Sequence, residues 1–293
     1  MFQKKLFVFI VLILSAFNVT LTLSVNAQEN TAAATDKQTK ENSNKENQEK
    51  KTNKPAKPEK YDFNNLTAEQ LAEVVIANYG GRVRLATIRK TEIERGRVTR
   101  FVENAPPQDS SYEKHLVRGE NQEKDRVRLN QKLTEAQYAL VYDASKTFGI
   151  INDAVFVPRE EANNNFQATI FHGLDALLRY KENGSNLKLL DKDTQMGVDL
   201  HHLEVTDKQN RTTRFNISRK FYRVISLEYS LALTANGVPT KFIRKFYDYR
   251  LAQGTLVPYR TVLYADGKPI EETNLSTITY GTKIEDAEFQ SGE

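Results

Sequence analysis

Between residues 187 and 280 the chain passes through seven strand-like runs joined mostly by short turns, and this meander constrains the fold more than any other feature. The runs are 187–191, 198–207, 211–218, 223–233, 240–250, 256–265 and 270–280. Turn chemistry separates them at Asp207-Lys208-Gln209-Asn210, Asn236-Gly237 and Asp266-Gly267, where Asn-Gly and Asp-Gly supply the positive φ of tight hairpins. Runs joined this closely pair antiparallel, because a parallel pair needs a long crossover. Several are apolar on both faces. Phe242 and Phe246 fall on one side of 240–249, with Ile243, Tyr247 and Tyr249 on the other; Val224 opposes Ile225, Leu227, Tyr229, Leu231 and Leu233. Such strands need cover on both faces.

The upstream half adds helices. Thr67 followed by Gln70 reads as a capping box, and Leu71, Val74, Val75 and Asn78 form a stripe at helical period that Gly80-Gly81 ends. Residues 82–88 repeat the pattern briefly with Val83, Leu85 and Ile88. Strands are expected over 91–102, 111–119, 126–133, 138–143 and 147–157. A second helix is expected over 165–181, where Phe166, Ile170, Leu174, Leu177 and Leu178 recur at three and four. Eleven or twelve strands with two helices set among them predict an α+β fold, not a βαβ series. A sheet this wide and antiparallel curls or closes to limit its edges.

Two leading segments stand apart from that fold. Residues 1–27 read as a signal peptide: Lys4-Lys5, an apolar run from Leu6 to Phe17, and Val25-Asn26-Ala27 before the cut. The alternative is an uncleaved anchor, since 6–25 is about long enough to span a bilayer. Residues 28–60 hold eight Lys and six acids with no aromatic residue and read as a disordered, charged linker. The folded part, 61–293, is left with 32 basic and 32 acidic residues. A zero balance speaks against a nucleic-acid partner. The stripe Arg82, Arg84, Arg89, Lys90, Arg95, Arg97, Arg100 is broken by Glu92, Glu94 and Glu103 and reads as a solvated face. All 13 Tyr and 11 of the 15 Phe follow residue 60, enough apolar mass for a substantial core.

Catalytic signatures are lacking. There is no Cys, hence no thiolate nucleophile or metal site. No phosphate loop, dinucleotide fingerprint, His-Glu-x-x-His or Gly-x-Ser-x-Gly is present. His201 and His202 are neighbours on a strand and face opposite ways; with His115 and His172 they read as surface or hydrogen-bonded histidines. The pairs Glu160-Glu161, Glu271-Glu272 and Glu285-Asp286 do not present two carboxyls across a cleft. No enzyme, cofactor or metal is expected; the remaining enzyme alternative is a hydrolase whose site only folding assembles.

The segment from Leu71 to Arg82, ending Tyr79-Gly80-Gly81, resembles the opening helix of LolA/LolB-like, outer-membrane lipoprotein-sorting proteins. Phe246-Tyr247-Asp248-Tyr249-Arg250, Val257-Pro258-Tyr259-Arg260, Asp266-Gly267 and a last strand running toward Ile284 and Phe289 resemble the close of that group. The resemblance covers most of 66–289 in element order. It implies a strongly curved, open antiparallel half-barrel with helices over the concave side, and a space between them that takes acyl chains. By strand and bulk, Phe215, Leu227, Tyr229, Phe242 and Phe246 are the candidate lining residues. This chain departs from the carriers in its long charged linker and its lack of Trp. The implied role is a non-enzymatic, periplasmic envelope protein that binds a lipid or acylated lipoprotein. The alternative is an interaction or stress-sensor module that uses the same fold to bind an envelope protein.

Overall fold

The computed structural model describes residues 62–63, 65–133, 136–144 and 146–290. The signal segment 1–27 and the linker 28–60 lie outside them. The order of elements is α1 (Ala68–Asn78), α2 (Arg82–Ile88), β1 (Thr91–Arg100), β2 (Gln108–Val117), β3 (Arg126–Lys132), β4 (Gln137–Asp143), β5 (Lys146–Ile151), β6 (Ala154–Phe156), α3 (Glu160–Phe171), α4 (Leu174–Leu178), β7 (Asn186–Gln195), β8 (Val198–Thr206), β9 (Thr212–Ser218), β10 (Val224–Leu231), β11 (Thr240–Ala252), β12 (Thr255–Ala265) and β13 (Lys268–Tyr280). A 3-10 turn, Asp286–Phe289, ends the described chain.

Among the described residues the strands form one open, curved, 13-stranded antiparallel sheet in the order β6-β5-β4-β3-β2-β1-β13-β12-β11-β10-β9-β8-β7. Two meanders are joined where the first strand meets the last, Glu92 opposite Tyr280 and Arg100 opposite Glu271. Helices α3 and α4 carry the chain from one edge, β6, to the other, β7. Both edges are blunted: β6 has three residues, and β7 has a register shift between Leu190 and Asp193 with Asp191 and Lys192 inside it.

Helix α1 forms as its sequence dictates. Gln70 N–H donates to Thr67 Oγ1 at 3.2 Å and Thr67 N–H to Gln70 Oε1 at 3.0 Å, which satisfies two donors the helix cannot use internally. Leu71, Ala72, Val75 and Ile76 are buried, each larger side chain worth about 1.5–3 kcal/mol of transfer from water. Gly80 takes φ +128°, and a Cβ there would meet Gly254 O at 3.1 Å, so helix stop and close packing on the β11–β12 turn need the same glycine.

The structure corrects the sequence reading at several joints. The second helix is two: α3 starts at Glu160 and ends at Phe171, and Gly173 takes an extended conformation before α4. Asn163, Asn164 and Asn165 disguise the first half as loop, but Asn164 Nδ2 donates to Leu233 O at 3.0 Å. The run 147–157 is also two elements, because Asn152 and Asp153 both adopt positive φ and turn β5 into β6. Asn236-Gly237 makes no tight hairpin. Gly237 has no positive φ, and residues 232–239 form a loop closed by Gly237 N–H donating to Thr234 O. Tight reversals with two positive φ values occur instead at Met196-Gly197, Gln253-Gly254 and Asp266-Gly267.

Two face assignments also change. A register shift between Val224 and Ser226 puts Val224 in the same core cluster as Leu227 and Tyr229, since one extra residue reverses the alternation. Asp248, at φ +50°, likewise returns Tyr249 to the cluster of Phe242 and Phe246. In α2 only Leu85 is buried, and Val83 is exposed.

Apolar packing falls into three clusters. The largest joins α1 and α4 to β8–β12; a second joins α3 to β2–β4; a small third joins Ala252, Val257 and Tyr280. Where the two meanders join, Gly96 lies opposite Tyr112. A Cβ there would come within 2.7 Å of the Tyr112 ring and 2.4 Å of Asn274 O, so the tyrosine packs over the space the glycine leaves.

Candidate functional site

The helix-covered face of the sheet is the surface the sequence singles out. The structure brings all five candidate lining residues together there. Leu227 lies opposite Phe215 and Tyr229 opposite Phe242, and Phe246 joins them in the largest cluster. All five are 0–8% exposed. Leu71, Val75, Ile76 and Tyr79 of the α1 segment and Leu177, Leu178 and Tyr180 of the α4 segment share this cluster. The interface between helices and sheet is therefore occupied by the chain's own side chains.

The polar ties of this layer are few and specific. Val224 N–H donates to Tyr79 OH at 3.3 Å, and Tyr249 OH donates to Val224 O at 2.5 Å. The 2.9 Å contact between the two phenols is then donated by Tyr79. Burial pushes the Tyr79 phenol up to about 12, which keeps it a donor at neutral pH. Asn78 Nδ2 donates to Phe221 O and Tyr222 O. Glu73 receives Arg82, Tyr180 and Lys181; burial opposes its ionisation, but these three donors hold its carboxyl at about 2.

Helix α4 is clamped by charge. Arg179 Nη1 reaches Asp125 Oδ2 at 2.7 Å and Oδ1 at 2.9 Å, and its Nη2 donates to Gly119 O at 2.8 Å. Asp175 pairs with Arg118 and, at 3.8 Å, with Arg89. Beside it Lys114 lies 3.0 Å from Glu92 and also pairs with Glu94. Burial would raise the Glu92 carboxyl, yet Lys114, Arg89 and Arg118 hold it below its ordinary value. The same acids outweigh burial at Lys114 and hold its ammonium well above its own. These charges pair with one another and position α4, with the Nε atoms of Arg89 and Arg118 left buried and without a hydrogen-bond partner. Sequence reasoning missed this seam. The arginine stripe splits: Arg89, at the end of α2, and Glu92 on β1 are buried, while alternation along β1 sends Arg95 and Arg97 to the other face, where they line an open 610 Å³ cleft with Arg128 and Lys132.

The four histidines are all buried, not at the surface. His115 contacts Glu113 and Glu288 through its two nitrogens. His172 contacts Thr213 Oγ1 at 2.7 Å and stacks on Tyr229 with centroids 4.2 Å apart. His202 contacts Asn216 Oδ1 at 2.6 Å and Asp193 at 2.8 Å. His201 has neither a surface position nor a hydrogen bond at either nitrogen. Among the described residues no group of three or more His, Asp or Glu could hold a metal ion.

Burial pulls His172 and His201 down from 6.5 to about 4. Below pH 6.5 the unfolded chain takes up these protons and the folded chain does not. Stability is then lost as pH falls from about 6.5 toward 4, by about 1.4 kcal/mol per pH unit for a histidine that stays neutral. Urea midpoints at pH 7 and pH 5 measure this. The expected result is a lower midpoint at pH 5, with a smaller drop in His172→Gln, and equal midpoints would refute it.

A second cleft, of 430 Å³, opens at the end of the sheet that carries the β7–β8 and β9–β10 turns. Its lining includes Phe63, Val198, Asp199, Arg219, Phe221 and Tyr222. Phe63 and Phe221 are half exposed, the Phe63 ring lies 5.7 Å from Tyr222, and Tyr222 stacks at 6.0 Å on His201. The available sequence signal was His201 in an otherwise apolar core face with Leu203 and Val205. None of the five candidate lining residues lines this cleft or the 610 Å³ one.

No family model and no curated protein matches the sequence. Solved structures match its form. A LolA superfamily protein from Nitrosomonas europaea aligns over 77% of this chain and 98% of its own, at 10% identity and a TM-score of 0.54. A domain provisionally named an outer membrane lipoprotein-sorting protein, from Vibrio parahaemolyticus, covers 76% and 97% at 12% identity and 0.53. A DUF1329 family protein from Desulfovibrio piger covers 77% and 98% at 10% identity and 0.52. The fold of this chain is accordingly similar to that of these structures, an open, curved antiparallel sheet with helices lying over it.

Proposed function

We propose that this is a non-enzymatic protein of the bacterial envelope that binds the acyl chain of a lipid or lipoprotein between its helices and its sheet. The observation that carries this reading is the apolar interface between α1, α4 and β8–β12, in which Phe215, Leu227, Tyr229, Phe242 and Phe246 meet Leu71, Val75, Ile76 and Leu177. A hydrocarbon entering there exchanges one apolar contact for another and gains about 0.8 kcal/mol for each methylene taken from water. In this reading an entering acyl chain displaces the protein's own side chains, which fill that interface in the structure. Residues 1–27 are, in the same reading, a signal peptide that exports the chain to the periplasm, and 28–60 are a linker to the folded part.

The test is to purify the full chain natively from envelope fractions, extract it under denaturing conditions and identify bound lipid by mass spectrometry. The expected result is an acyl-bearing molecule near one per chain. Ligand-free protein that also ignores fluorescent acyl probes would sink the reading. The 610 Å³ outer cleft, with Arg95, Arg97, Arg128 and Lys132 around Glu113, favours a second reading as a module for an acidic envelope protein. A stoichiometric partner in a pull-down, lost on reversing these charges, would support it.

A further inference from the structure

Asn78 at the end of α1 ties the backbone of Phe221 and Tyr222 at the rim of the 430 Å³ cleft, but the side chain of His201 makes no such contact. The cleft and His201 adjoin each other. Asp199 and His201 leave β8 on the same face, two residues apart, and that face continues inward through Leu203 and Val205 into the largest apolar cluster. Asp199 lines the cleft. His201 lies one step deeper, 1% exposed, with the Tyr222 ring stacked over it. The route from solvent to the apolar interior at this end therefore runs past Tyr222 and then His201.

Two features single out this position. His201 has no hydrogen-bond partner at either ring nitrogen. A neutral imidazole offers one donor and one acceptor, and leaving them buried and unmade costs stability that a hydrogen-bonding ligand would restore. Tyr222, which covers it, holds a left-handed backbone at φ +49°, a conformation costly for a residue with a bulky side chain. Tyr222 sits between the half-exposed Phe63 and His201, in the short turn between β9 and β10. One ring, carried on a turn with a strained backbone, thus separates the cleft from a buried polar group.

We infer that this cleft is the mouth of the half-barrel, that Tyr222 is its gate, and that His201 anchors the carboxylate head of a fatty-acid-like ligand whose chain runs inward along Leu203 and Ile217. The inference rests on the proposed acyl binding and adds the entry point, the orientation and the head group. A carboxylate fits better than an ester or a hydroxyl because the cations Arg219 and Lys220 at the cleft and Lys192 near the ring outnumber the one acid of the cleft, Asp199. Arg219 lines the cleft, and Lys192 and Arg219 both act on the His201 ring, adding to burial in keeping it neutral. A neutral ring presents its N–H to a carboxylate, and a bound anion is further favoured by Arg219 at the mouth.

The test uses the full chain with cis-parinaric acid, a fluorescent eighteen-carbon acid, and its methyl ester. Wild type is expected to bind the acid about tenfold tighter than the ester, and H201L to lose that preference by weakening the acid alone by about tenfold. Y222A is expected to speed uptake of both probes. Equal affinity for acid and ester in the wild type, or undiminished acid binding by H201L, would overturn the head-group assignment and leave the acyl-binding reading in place. Failure of the wild type to bind either probe would overturn both. If H201L does not fold, the His201 ring resonances of the wild type decide the matter: they shift on adding the acid if the assignment holds, and stay unmoved if it is wrong.

Discussion

Replacing Arg179 with Ala is expected to lower the unfolding free energy by about 3–5 kcal/mol, because it strips the partner from a carboxylate that has no access to water. Asp125 is almost fully buried and takes both of its charged hydrogen bonds from Arg179, while Gly119 O takes a third. Asp125→Ala should cost a similar amount for the mirror-image reason, an uncompensated guanidinium. The double replacement is expected to cost less than the sum of the two, since with both charges gone neither is left alone. Urea denaturation of the three variants measures this. Strict additivity would mean that the pair does not act as one unit, and α4 would then be held by its apolar contacts alone.

The second large effect is at Phe215. Phe215→Ala is expected to cost about 3–5 kcal/mol, because the ring is fully buried among Leu203, Leu227 and the residues of α1 and α4. The same substitution leaves a void in the middle of the apolar interface, and such voids stay dry and accept small apolar guests. Benzene or xenon is therefore expected to raise the midpoint of the variant and not that of the wild type. A Phe215→Ala protein as stable as its parent would show that the helices already sit loosely over this part of the sheet.

Much of the architecture can be read from the sequence, and the reason is local. The capping box at Thr67 and the Gly80-Gly81 stop fix α1 almost to the residue, and alternation finds most strands. What alternation cannot show is a local defect that reverses it. The extra residue near Val224 and the left-handed Asp248 each turn a side chain to the other face, and neither is marked by a glycine or proline at the position. The Asn152-Asp153 reversal was hidden because neither residue is glycine. The five lining candidates were legible as bulky residues on adjacent strands, which is enough to bring them together and not enough to say what lies on top of them. The charged seam and the His201–Tyr222 pair were harder still. Arg89 and Glu92, Lys114, and Asp175 come from three separate segments, and single charges in a polar stretch look like ordinary surface until the sheet brings them under a helix.

The pairing of β1 with β13 has a kinetic consequence. Glu92 cannot find Tyr280 until nearly the whole domain has been made, and the loop closed by that contact is among the longest the chain contains. Its entropy must be given up before the reward of the ladder is collected. Until then the growing polypeptide carries an open β1 flank that invites pairing with a neighbour, so its refolding should be slow, and sensitive to protein concentration in a way that the finished sheet is not.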